Sequence, residues 1–309
     1  MLQYTIRRLL AILVTLLVIA TLTFVLMHCI PGGPFASEKE LPPPILQNIN
    51  ARYHLDWPLW KQYFDYLAHL ARWDLGPSFK YESMTVNDII NNGFPVSATL
   101  GGIALGIAVI FGITAGIIAS MNQYKWQDNL VMFLATIGFS VPSFILASLF
   151  IFVFSYKLGW LPAALWGSPQ QVIMPALALS ALPTAFIARM VRSTMLEVLA
   201  QDYIRTAWAK GLSGGLVVYR HALKNALLPV FSYLGPLTAQ ILTGSFVVER
   251  IFAIPGMGRH FVTSIANRDY TTIMGVTIFY SIILLLANFL VDIAYAYLDP
   301  RIKVAGGKE

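Results

Sequence analysis

The chain has 309 residues, of which 57% are hydrophobic and 12% charged, and its mean hydropathy is +0.66. An ordinary soluble domain is about 25% charged, so this composition excludes a soluble enzyme. The single cysteine, Cys29, excludes an internal disulfide and a Cys-based metal site, and the net charge of +6 comes mainly from basic residues beside apolar runs. A bilayer accounts for such residues, and no nucleic-acid partner is expected.

The first apolar run, Leu9 to Ile30, follows Arg7 and Arg8. Its length of about 20 apolar positions suits a membrane anchor rather than the shorter core of a signal peptide. Residues 1–30 therefore read as an N-terminus and first transmembrane helix. From Pro31 the composition turns to charge, proline and polar turns, which hydrocarbon does not tolerate, so residues 31–96 read as an extramembrane insert. Within it Leu59, Trp60, Tyr63, Phe64, Leu67, Leu70 and Trp73 recur at helical spacing beside Lys61, Gln62, Asp65 and Arg72. This pattern predicts an amphipathic helix lying on a partner or on the bilayer surface. A second amphipathic segment, Val86 to Asn92, leads through Gly93 and Pro95 into the next span.

Five further spans are predicted at Ser97–Ala119, Asn129–Tyr156, Val172–Met190, Leu227–Val248 and Thr272–Tyr297. The expected fold is an all-α membrane protein with six transmembrane helices, a five-helix core over residues 97–300, and a tail at 301–309. The side holding the termini carries 12 of the 21 basic residues against five acidic ones, while the other side is balanced, so both termini are expected in the cytoplasm and the insert outside. Two consecutive GxxxG patterns, Gly102/Gly106 and Gly112/Gly116, predict close helix packing. Pro142, Pro175, Pro183, Pro229 and Pro236 predict kinks or broken ends.

No lysine precedes Ser or Thr, so the chain has no phosphate-binding loop, and any ATP-driven work belongs to a partner. The five histidines lack metal spacing, and no serine sits in a nucleophile frame. No cofactor or metal is expected in this chain. The spans hold essentially one titratable residue, Asp292, one helical turn after Asn288. It forms either a functional intramembrane site or a structural pair with Arg189 or Arg192. In the fifth span Ser232, Gly235, Thr238, Ala239, Leu242 and Ser245 form a stripe of mostly small residues, which serves either close packing or a translocation path.

Residues 191–226 form a long basic segment on the side of the termini. Tyr203 to Lys210 predicts a short helix ended by Gly211, with another beginning between Leu216 and Leu223. From composition alone it is either a docking helix or a helix lying on anionic lipid. The stretch YIRTAWAKGL at 203–212, followed by HALKNALLPV at 221–230, resembles the EAA-type signature of ABC importer permeases in their peptide-transporter branch. The resemblance extends over nearly the whole chain. It includes IRRLL at 6–10, YHLDWPLWKQYFDYL at 53–67, DLGPSF at 74–79, FPVSATL at 94–100, VPSF at 141–144, GSFVVERIFAIPGMG at 244–258, NRDY at 267–270 and YAYLDPRIK at 295–303. Together these resemble the B-type subunit of oligopeptide permeases.

That resemblance implies a type I importer fold and half of a translocation pore in the bacterial inner membrane. It also implies a homologous second permease, two ATP-binding subunits that carry ATP and magnesium, and an external peptide-binding protein. Tyr203, Ile204, Arg205, Thr206, Ala207, Lys210 and Gly211 match the ATPase-coupling motif. Trp208, where such permeases commonly have Arg, and Ser213-Gly214-Gly215 depart from it. The implied mechanism is alternating access without catalysis in this chain. A membrane scaffold without transport is the rival, a secondary carrier is disfavoured by the scarcity of titratable residues in the spans, and dipeptides or murein peptides are alternative cargo.

Overall fold

The computed structural model describes residues 2–31, 33–35, 43–81, 83–242 and 246–298. Among these every regular element is helical, and β pairing is confined to one antiparallel bridge between Pro77 and Thr85. In chain order the helices are α1 Leu2–Cys29, α2 Pro43–Arg52, α3 Leu59–Ala71, α4 Val86–Met121, α5 Trp126–Ser140 and α6 Ser143–Lys157. They continue as α7 Pro169–Leu199, α8 Asp202–Ala209, α9 Gly214–Ala226, α10 Leu228–Leu242, α11 Phe246–Ile251, α12 Met257–Asn267 and α13 Tyr270–Leu298. α1, α4, α7 and α13 are long and apolar enough to span a bilayer, and the number rises to six if the bent pairs α5–α6 and α9 to α11 are each one span. The chain forms two compact units, one of residues 1–95 with 256–285 and the other of residues 96–255 with 286–309.

In the first unit, α3 runs where the amphipathic pattern places it, but only part of its apolar face is inside. Tyr63 hydrogen-bonds Thr21 of α1 at 2.7 Å, Gln62 meets His28 at 3.2 Å, and Phe24 lies between the rings of Tyr63 and Tyr66. Burial, reinforced by the neighbouring Tyr63, pushes the Tyr66 phenol up to about 12. Trp60 and Phe64 stay exposed.

Val86 does not begin a separate segment. Thr85 and Asp88 close a reciprocal cap, with Asp88 accepting from the Thr85 N–H at 2.9 Å and Thr85 Oγ1 accepting from the Asp88 N–H at 3.1 Å. The helix then continues through Gly93 and Pro95 to Met121. Pro95 has no N–H to donate to the Asn91 carbonyl, and Asn91 is an exposed residue.

The buried carboxylate of Asp269 joins the 74–79 loop to the start of α13. It accepts from Ser78 Oγ at 2.5 Å, the Phe79 N–H at 3.1 Å, Thr272 Oγ1 at 2.9 Å and the Thr272 N–H at 3.3 Å. The Thr271 hydroxyl also donates to it at 3.1 Å, so Asp269→Ala removes the acceptor of five donors and the cap from a long helix. It is expected to lower unfolding stability by at least about 2 kcal/mol, with Asp269→Asn losing less, as read by thermal unfolding in detergent.

In the second unit, the GxxxG expectation divides. A Cβ on Gly112 would lie 2.8 Å from Ile187 Cβ, and one on Gly116 2.6 Å from Val191 Cβ, so both permit close contact with α7. Gly102 and Gly106 meet nothing within 4 Å, and the close approach in that turn belongs instead to Gly101, where a Cβ would lie 2.6 Å from the Ile241 carbonyl. Gly101, Ala104, Ala108, Gly112, Gly116 and Ala119 form the buried stripe of α4.

The predicted span Asn129–Tyr156 is broken rather than kinked, with α5 and α6 bent by 103°. Pro142 has no N–H and drives Val141 into extended backbone at φ −94°, ψ 116°, which ends the helix. Pro175, Pro183 and Pro236 sit inside continuous helices. The predicted loop at 249–271 contains α12 and the second half of α11, which begins inside the predicted span, and the mixed polarity of these short elements conceals them from a search for spans.

Candidate functional site

Two residues separate the end of α7 from the start of α8, which is amphipathic. Ile204 and Ala207 are buried with Met195, Val217, Val218 and Ala222, in the same core that holds Ile187 and Val191 of α7. Tyr203, Arg205, Thr206, Trp208 and Lys210 are exposed. The Tyr203 hydroxyl accepts from Asn225 Nδ2 at 2.8 Å, and Thr194 Oγ1 donates to the Ala226 carbonyl at 2.8 Å, so α8, α9 and the end of α7 are held together. Gly211 terminates the helix at φ +75°, its N–H donating to the Trp208 carbonyl at 2.9 Å. A Cβ there would meet nothing within 4 Å, so backbone conformation rather than space requires the glycine. The predicted motif residues thus form a short helix and its closing turn, with an inner face on α7 and an outer face open.

α7 is gripped from two sides. Besides Gly112 and Gly116 of α4, Gly138 of α5 brings its Cβ position to 3.1 Å from the Ala181 carbonyl. Toward its C-terminal end, Arg192 donates from Nε to Asp128 Oδ1 at 2.6 Å and from Nη2 to Asp128 Oδ2 at 2.7 Å, and the Tyr124 N–H donates to the same carboxylate at 3.0 Å. The Asp128 side chain is only 3% exposed. A bidentate pair of this kind fixes both position and orientation of the two helices. Arg192 is therefore the partner of Asp128 and not of Asp292 as the sequence allowed, and the Arg189 guanidinium lies 5.9 Å over the Phe139 ring.

The residues of the small stripe do not share one environment. Gly235 and Ala239 are buried, Thr238 and Leu242 half-buried, and Ser232 exposed, while Ser245 lies outside the described residues. A Cβ on Gly235 would lie 2.8 Å from Asn288 Oδ1, so the stripe and the polar position of α13 meet at this point. Asp292 is half-buried one turn further along.

Two acids escape the sequence reading. Asp128 counts there as a loop charge, and its partner lies 64 residues away. Glu249 counts as a loop residue, yet it is fully buried and accepts from Ser97 Oγ at 2.7 Å. The signal for both is weak: a lone acid at the edge of an apolar run.

Residues 112–304 match the model of the binding-protein-dependent transport system inner membrane component, and residues 1–101 match the N-terminal model of the same membrane components. The chain is 53% identical over 304 residues to the dipeptide transport system permease protein DppB of Bacillus subtilis (strain 168), covering 98% of this chain and 99% of that one. It is 47% identical over 305 residues to the oligopeptide transport system permease protein OppB of Salmonella typhimurium, covering 98% and 100%. Among solved structures, an inward-facing form of the MetNI methionine ABC transporter aligns with a TM-score of 0.56 at 17% identity, over 68% of this chain and 96% of that one. An amino acid ABC transporter aligns with a TM-score of 0.53 at 16% identity, over 68% and 94%. These structures share the fold of type I ABC importer permeases with this chain. With both halves of the sequence matched, and with full-length relatives at about half identity, the chain belongs to the inner membrane components of binding-protein-dependent transport systems.

Proposed function

We propose that this chain is the permease subunit of an ATP-driven peptide importer and supplies half of its translocation pore. A homologous second permease would complete the pore. Two ATP-binding subunits would hold ATP and magnesium, and an external binding protein would deliver peptide. The observation that carries this reading is the identity of 46–53% over essentially full length to dipeptide and oligopeptide permeases. On the charge asymmetry both termini, α8 and α9 lie in the cytoplasm, where soluble ATP-binding subunits can reach them.

The mechanism is mechanical rather than catalytic. α8 docks on an ATP-binding subunit, and its inner face moves with the end of α7. α7 passes the displacement to α4 through Gly112 and Gly116 and to α5 through the Asp128–Arg192 pair. Bistable packing of this kind converts a small shift at one end into two states of the bundle. Peptide binding and ATP binding each favour one state through the contacts they make in it.

Deleting the chain in its host should abolish uptake of labelled di- and tripeptides, and a plasmid copy should restore it. Uptake that survives deletion while the other subunits fail to assemble would favour the scaffold reading. The path is tested by cysteine labelling in a Cys29→Ser background. A cysteine at 232 or 238 should react with a soluble thiol reagent at a rate altered by ATP and peptide. One at 239, which is buried, should remain unlabelled in every state.

A further inference from the structure

The outer face of α8 carries one feature that the coupling motif does not account for. The six-membered ring of Trp208 lies on Gly214, where a Cβ would stand 3.2 Å from Cη2 and 3.8 Å from Cζ3. The turn at Gly211 returns the chain so that residue 214 comes under the indole. The benzene edge of the indole is thus occupied, and the side chain as a whole remains 46% exposed. Its Nε1–H finds no acceptor among the described residues. Arg205 and Lys210 are exposed on the same helix and turn. Tryptophan loses little rotamer freedom on binding and combines a large apolar surface with a single donor.

We propose that Trp208, held in place by Gly214, is the anchor residue of the docking surface and selects an ATP-binding subunit whose cleft offers an apolar wall and a hydrogen-bond acceptor. This rests on the function proposed above. Donors predominate on this face, namely the indole N–H, the Arg205 guanidinium and the Lys210 ammonium, so the complementary cleft carries carbonyl or carboxylate oxygens. Asp202, which lies 3.7 Å from Arg205, is the one acid on α8 and already faces that cation. Trp208 and Gly214 act as one unit, because a Cβ at 214 would stand 3.2 Å from Cη2 and oblige the ring to shift by a few tenths of an ångström from its seat.

The test uses the complete permease pair in nanodiscs, titrated with the ATP-binding subunits of its own importer. Trp208→Ala and Gly214→Ala should each weaken binding about tenfold, a loss that only a minority of interface residues produce. The double variant should be no more than about twofold worse than either single one, since both remove the same contact. Trp208→Phe, which keeps most of the ring and loses the N–H, should fall between wild type and Trp208→Ala. Gly214→Ala raises helix propensity at the start of α9, so its loss of affinity is not explained by unfolding. Wild-type affinity in all variants would overturn the proposal and assign the indole to lipid headgroups. A roughly hundredfold, additive loss in the double variant would overturn the pairing. An unaltered chain that fails to hold the subunits would instead overturn the proposed function.

Discussion

A Gly211→Val chain is expected to reach the membrane at normal abundance and to lose at least about tenfold of its peptide uptake. The residue sits at φ +75° with open space around its Cβ position, so the substitution acts through the backbone alone. A β-branched residue in the left-handed region costs about 1–3 kcal/mol, and the turn relieves that strain by leaving the conformation that ends α8. Residues 208 and 214 then separate, and the outer face of the turn loses its shape. The ordering of variants is part of the expectation. Asn, which tolerates this conformation, should retain more uptake than Ala, and Ala more than Val. Measuring uptake beside abundance in the same membranes checks it, and a Gly211→Val chain with unchanged uptake would remove the turn from the mechanism.

The second large effect is expected at Arg192. Arg192→Ala leaves the Asp128 carboxylate, 3% exposed, without its bidentate partner. Arg192 itself is 23% exposed, so water reaches part of the site; losing the pair should cost about 1–3 kcal/mol, and both thermal stability and uptake should fall. Arg192→Lys should not restore either fully, because an ammonium cannot reproduce two parallel hydrogen bonds to one carboxylate. A double replacement, Asp128→Leu with Arg192→Met, separates the two roles. Removing both charges should recover most of the stability, since apolar pairs of similar volume commonly match buried ion pairs. Uptake should stay low if the pair also fixes α5 to α7 during transport. Full recovery of both would reduce the pair to a structural contact.

Much of the bundle is legible in the sequence because lipid imposes one simple rule: about 20 apolar residues with internally bonded backbone. α1, α4, α7 and α13 follow from it. The short helix ended by Gly211 is legible for a second reason, since a glycine after an amphipathic turn has few other uses. The remainder fails where the deciding interaction is distant in sequence. Nothing near Pro142 distinguishes a kink from a 103° break, because the difference lies in what α6 packs against. Nothing in the GxxxG spacing tells that Gly112 and Gly116 face α7 while Gly102 and Gly106 face open space. Glu249 and Asp128 look like loop acids until helices far along the chain surround them.

The small stripe of α10 shows the same limit within a site. Its spacing is that of one helix face, yet Gly235 packs against Asn288 while Ser232 is exposed. A periodic stripe defines a direction on one helix and leaves open what the neighbouring helix contributes.

The central claim is that this chain converts ATP hydrolysis by its partners into passage of peptide. It is tested most directly in proteoliposomes that contain the chain, its second permease and both ATP-binding subunits, with the peptide-loaded binding protein on the external face and ATP supplied to the opposite face. The account predicts that labelled peptide crosses the membrane toward the ATP side, that hydrolysis rises when loaded binding protein is present, and that Gly211→Val suppresses the crossing. Hydrolysis that is indifferent to peptide, with no peptide crossing the membrane, would contradict it.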